Sequence, residues 1–100
     1  MLSRATYLGV RMVMDSIKSA ATIFALPQAG ETEHQRQSRL RLVKRCYEWI
    51  AVAEEIAKIC QQDLYLEWEL TGDEGKKWHQ VCEFLGKLPD TSIWLAGAID

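Results

Sequence analysis

Residues 32–60 read TEHQRQSRLRLVKRCYEWIAVAEEIAKIC, and how this stretch folds decides the shape of the molecule. Thr32 and Gln35 have the spacing of a capping box, and Glu33 places a carboxylate in the first turn, where the helix dipole favours it. Between Gly30 and Gly72 there is no glycine or proline. The pattern predicts one long central helix over about 33–62, near 45 Å at 1.5 Å per residue. A 100-residue globule has a radius of gyration of only ~13 Å. A helix of that length must break, overhang its own body, or find a partner along its length.

A helical wheel with Val43 at zero divides this segment. Leu42, Val43, Cys46, Tyr47, Trp49, Ile50, Ala53, Ile56, Ala57 and Cys60 cover an arc of about 180°. Arg41, Lys44 and Arg45 fall opposite, near Glu48 and Glu55, and Lys44 and Glu48 are four apart as an ion pair would be. Arg36 and Arg39, at about 20° and about 320°, lie on the apolar stripe itself, as does Glu54. A charge on that stripe must be paired or lie beyond the core. The expectation is that the first two turns overhang the globule and extend Arg36 and Arg39 to something outside it. If a second copy packed antiparallel, centred near Cys46–Tyr47, Arg39 would approach Glu54 of its mate, and a two-fold contact would close the dimer.

The flanking segments also read as helices. Over residues 3–24, Val10, Val13, Met14, Ile17, Ala20, Ala21 and Phe24 share one side, with Ser3 as candidate N-cap. Arg4, Arg11 and Lys18 recur every seventh residue on another side, with Asp15 in reach of the last two. The start MLSR also has the spaced basic residues of a mitochondrial targeting peptide, but the apolar face is wide enough to be needed in a core. Gly9 costs about 1 kcal/mol in mid-helix and makes room for a close neighbour. Pro27 and Gly30 end this helix. Residues 64–70 partly alternate, but no second alternating run offers itself as a partner strand, so a helix is expected there. Thr71 and Glu74 have capping-box spacing before a helix carrying Trp78, Val81, Cys82 and Leu85 on one face and ending at Gly86. A short last helix is expected from Asp90 or Thr91, burying Ile93, Trp94 and Ile99. The fold class that results is all-α: a compact bundle of four to five helices in a single domain, residues 1–100.

The charge is distributed unevenly. Net charge is −2, with Lys+Arg 12 against Asp+Glu 14. Residues 1–50 hold eight basic and four acidic groups, +4, and residues 51–100 hold four and ten, −6. A basic half and an acidic half can pair, within the chain or between copies. Nothing in the total draws the protein toward nucleic acid. Three cysteines, an odd number, point to free thiols in a reducing, cytoplasmic setting. No apolar run approaches the ~18 residues that span a bilayer.

No motif carries cofactor or small-molecule chemistry: there is no Gly-rich phosphate loop. His79-x-x-Cys82 could clamp a metal from one helix face, but Cys46 and Cys60 lie about 21 Å apart on a straight helix and cannot both join it. Cys82, His79 and Glu83 form the one cluster resembling an activated nucleophile, better read as a thiol at the core's edge. The expected function is therefore a non-enzymatic protein–protein interaction module of the inhibitor, immunity or adaptor type, either self-associating or docking on a larger protein. The expected contacts are Arg36, Arg39, Arg41, Lys44, Arg45 and Glu54 on the long helix, with Trp94 as an aromatic anchor. The second reading is a small nucleic-acid-binding protein that uses the basic helix 34–45.

Overall fold

The computed structural model describes residues 3–92. Its elements run β1 (Ser3–Ala5), α1 (Tyr7–Phe24), α2 (Glu33–Cys60), β2 (Trp68–Leu70) and α3 (Gly72–Gly86). The capping box at the start of α2 forms as its spacing dictates. The Gln35 N–H donates to Thr32 Oγ1 at 3.2 Å, and the Thr32 N–H donates to Gln35 Oε1 at 2.8 Å. At 28 residues, α2 alone is about 42 Å long. The molecule measures 47 × 22 × 17 Å, so α2 is its spine.

The other two helices lie along that spine. The connection after α1 turns the chain so that Arg39, early in α2, reaches the last carbonyls of α1. The two helices are thus antiparallel. They close on Val10, Met14, Ile17, Ala21 and Phe24 from α1, and on Cys46, Ile50, Ala53 and Ala57 from α2. On an adjacent side of α2, Trp49 meets Phe84 with ring centroids 6.0 Å apart, while Glu74 and Lys77 lie across from Val52 and Ile56. Hence α3 also runs antiparallel to α2. Burying seventeen apolar side chains among the described residues is the main favourable term.

The all-α bundle of four to five helices is corrected by these coordinates. The described residues hold three helices and a two-stranded sheet. Against the expectation of a helix over 64–70, residues 68–70 form β2, antiparallel to β1, with Ser3 opposite Leu70, Arg4 opposite Glu69 and Ala5 opposite Trp68. The partner strand is only three residues long and lies where the first helix was expected to begin, so no alternation announces it. Accordingly α1 starts later, capped by Thr6, whose hydroxyl accepts from the Gly9 N–H at 2.9 Å. A Cβ on Gly9 would stand 3.1 Å from that hydroxyl, which identifies the close neighbour that the glycine admits. The long helix ends at Cys60 rather than near 62. The expected burial of Ile93, Trp94 and Ile99 lies outside the described residues.

The sheet is tied to the helices by two tryptophans. Trp78 on α3 donates its indole N–H to the Arg4 carbonyl at 3.2 Å. Trp68 packs against the core, but its indole N–H is buried without an acceptor among the described residues. Thr71 caps α3 by position alone, since its hydroxyl bonds no helix N–H and the expected box with Glu74 does not close. The reason lies next door: Gly72 enters the helix at φ +59.

Two outcomes follow. Gly72→Ala forces a side chain into the left-handed region and destabilises the protein by about 1–2 kcal/mol in urea unfolding. Trp78→Phe, which strands the Arg4 carbonyl, costs more in the same measurement than Trp68→Phe, which removes a donor that already lacks a partner.

Candidate functional site

The basic run of α2 separates into three environments. Arg39 is buried, at 4% exposure. Its guanidinium grips Glu31 with two bonds, Nη2 to Oε1 at 2.7 Å and Nε to Oε2 at 3.0 Å. Its remaining nitrogen, Nη1, donates to the carbonyls of Phe24 at 3.3 Å and Ala25 at 3.0 Å. A forked, charge-assisted pair of this kind is stronger than a neutral hydrogen bond. It also places a cation at the C-terminus of α1, whose own last turn has no basic residue. Gly30, at φ +73, turns the chain just before Glu31. The hydrogen bonds from Arg39 hold the Glu31 carboxyl below its ordinary 4.5, and Glu31 holds the guanidinium more firmly charged.

The expectation that Arg36 and Arg39 reach outside the chain is therefore corrected. Arg39 is satisfied within its own chain and closed to a partner. Arg36 is half exposed and pairs with Glu33, one turn back, at 3.2 Å. The first turns of α2 do project past its packed middle, but the chain returns to meet them.

Arg45 belongs to the second environment. Its guanidinium lies over the Phe84 ring, 5.6 Å from the centroid, and faces α3. This cation–π contact turns Arg45, expected opposite the apolar arc, toward α3 instead. Arg41, Lys44 and Glu54 form the third. All three are exposed, as are Leu40, Tyr47 and Glu48. Arg41 Nε donates to the Gln37 carbonyl of its own helix at 3.4 Å. Lys44 and Glu48 form no ion pair, and Glu54 forms none with any described residue. Of the expected contacts, then, Arg41, Lys44 and Glu54 are exposed, and Trp94 lies outside the described residues.

A second surface has no counterpart in the sequence expectations. The connection between α2 and β2 turns on Asp63, whose Oδ1 accepts from the N–H groups of Tyr65 at 2.9 Å and Leu66 at 3.2 Å. The Leu8 N–H donates to the Leu64 carbonyl at 3.4 Å, which brings this connection against the start of α1. Leu64, Tyr65 and Leu66 are thereby exposed beside Leu8, with Met12 one turn further along α1. Tyr65, at 78% exposure, is the most open large hydrophobic among the described residues. The signal was present as the run Asp-Leu-Tyr-Leu, whose apolar residues have no helical or strand duty once β2 begins at Trp68.

The catalytic and metal candidates come apart. Cys46 and Cys60 are buried, and desolvation raises the thiol pKa of both and of Cys82. His79 faces Glu83 at 3.5 Å, and Lys87 binds the same carboxylate at 2.7 Å. Among the described residues no three His, Cys, Asp or Glu side chains converge as metal ligands. An open groove of about 630 Å³ between α2 and α3 is lined by Val52, Ile56 and Ile59 but rimmed by Glu55, Lys58, Glu74 and Lys77. No described helix is long and apolar enough to cross a membrane. Comparison with protein-family models, with curated proteins and with solved structures brings no match to this chain.

Arg39→Met removes both bonds to Glu31 and the donor to the carbonyls of Phe24 and Ala25, and destabilises the protein by on the order of 2 kcal/mol in urea unfolding. Arg36→Met leaves the midpoint almost unmoved. Because the Glu31 pKa is lowered on folding, its pairing stabilises the protein above pH 4.5 and that stabilisation is lost as pH falls through the lower folded value. Arg39→Met therefore flattens the acid limb of the stability–pH curve.

Proposed function

We propose that this chain is a non-enzymatic protein–protein interaction module. The observation that carries the reading is the exposed apolar surface of Leu8, Met12, Leu64, Tyr65 and Leu66, held in place by the Asp63 turn rather than left on a loose loop. A fixed, solvent-facing aromatic flanked by aliphatic residues is the usual chemistry of a binding hot spot, and clustered large hydrophobics on a small soluble domain mark contact surfaces. Its rim is mixed in charge, since Arg4 pairs with Glu67 at 3.5 Å and with Glu69 at 3.2 Å, and this suits a partner that is apolar at its centre and polar at its edge.

The nucleic-acid reading is weakened by the fate of the basic run. Arg39 is spent inside the chain, Arg45 turns to Phe84, and Arg36 answers Glu33. What remains on the outer face is Arg41 and Lys44, followed by Glu48, Glu54 and Glu55, a poor track for a phosphate backbone. An enzymatic reading would rest on Cys82, whose thiol is pushed up by burial rather than down by a neighbouring cation.

The test is capture from native lysate with mass spectrometry, using the wild type and Tyr65→Ser/Leu66→Ser. A discrete partner retained by the wild type and lost by the double variant, with circular dichroism unchanged, supports the reading. Identical capture by both proteins, or rapid and selective alkylation of Cys82 at neutral pH, overturns it.

A further inference from the structure

The two edges of the small sheet differ. Trp78 of α3 donates to the Arg4 carbonyl, so that carbonyl points away from β2 and the outer edge of β1 is occupied there. Arg4 stands opposite Glu69. An antiparallel ladder alternates between pairs that exchange both backbone bonds and pairs that exchange neither. Arg4 and Glu69 are thus a pair of the second kind, and the Glu69 N–H and C=O point away from β1. Among the described residues neither group meets a partner, and the same holds for the N–H and C=O of Glu67. Both residues are exposed. Among the described residues no strand lies beyond β2. Unpaired backbone groups at this spacing are a template on which an extended chain adds as a further strand. The edge also runs directly into the apolar surface, since the exposed Leu66 immediately precedes Glu67.

We propose that the partner of this module binds as an extended segment, its backbone paired with Glu67 and Glu69 along the free edge of β2. This deepens the reading of the chain as an interaction module and rests on it. A helix does not answer these groups, because its own N–H and C=O groups bond within the helix. A second copy of β2 is a poor occupant. Antiparallel pairing about Glu69 sets Glu69 against Glu69, and like charges directly opposite each other are destabilising. The outward side of the sheet defines the better one. Arg4 binds Glu67 at 3.5 Å and Glu69 at 3.2 Å, so two carboxylates share one guanidinium. The segment that fits therefore carries lysine or arginine opposite Glu69. Where it runs on past the edge, it sets an apolar side chain against Tyr65 and Leu66. It has no proline at the paired positions, since each of them must donate.

A phage-displayed library of random peptides, selected on the immobilised full chain, tests the proposal. The selected peptides are expected to alternate, with a basic residue on one side and apolar residues on the other. Fluorescence anisotropy of a selected peptide then compares the wild type with Glu69→Pro and Glu69→Gln. Proline is tolerated on a strand edge whose N–H is unused, so the Glu69→Pro circular dichroism spectrum stays that of the wild type. Glu69→Pro weakens binding by about tenfold or more through the lost donor, and Glu69→Gln by less. Amide hydrogen exchange of the wild type gives a reading that needs no variant: the Glu69 N–H exchanges freely alone and is protected by the peptide. Failure to select any peptide, apolar residues recurring at helical spacing, or a Glu69 amide that exchanges as fast in the complex overturns the proposal. The serine double variant separates the two readings. A partner lost by Tyr65→Ser/Leu66→Ser but bound equally by Glu69→Pro leaves the interaction module standing and removes strand addition.

Discussion

The structure depends on Arg39. The last turn of α1 has no cation of its own, and across an eight-residue connection containing Pro27 and Gly30 the guanidinium from the next helix supplies one and donates to the Phe24 and Ala25 carbonyls, while Glu31 answers its charge. One side chain thus fixes the turn angle, the register between α1 and α2, and the position of the connection. Its burial is costly without all of these partners, so the arrangement is cooperative: each bond is favourable because the others are made. The remainder of the hydrophobic packing along α2 follows from the register this sets.

That same residue marks the limit of what the sequence disclosed. Placing Arg39 on the apolar stripe was correct geometry, and the requirement that it be paired was correct chemistry. The sequence could not say that the partner lay eight residues back in a loop, because a wheel describes one helix and Glu31 precedes it. Thr32 and Gln35 were legible for the opposite reason, since a capping box is local and both halves stand within four residues. The apolar face of α1 was legible as well, and that of α3 in part: Trp78 and Val81 are buried, but Cys82 is exposed and Phe84, which was not expected there, is buried. The sheet was not: Ser3–Ala5 and Trp68–Leu70 are each too short to show a period, and their pairing spans most of the chain. Of the interaction surfaces, the cations of α2 were visible but their orientation was not, and the Asp63 turn emerged only once β2 was placed.

The starts of α1 and α3 use a related device with different chemistry. In each, an extended strand passes through a threonine into a helix. At Thr6 the hydroxyl caps the helix and Gly9 clears space for it. At Thr71 the backbone turns through a left-handed glycine, and the side chain plays no part. The strands entering both helices are bonded to each other, so the starts of α1 and α3 are held together. Trp78 reinforces this by taking its acceptor from the strand that leads into the other helix.

The pairing of β1 with β2 also sets an order of assembly. During synthesis, α1 and α2 can close on each other as soon as Cys60 is free, because their contacts are between neighbours in sequence. Residues 3–5 must then wait, their backbone groups answered by water, until residues 68–70 have been made. Residues 3–5 are thus locked well after they are made, and in that interval their backbone stays open to chaperones and proteases.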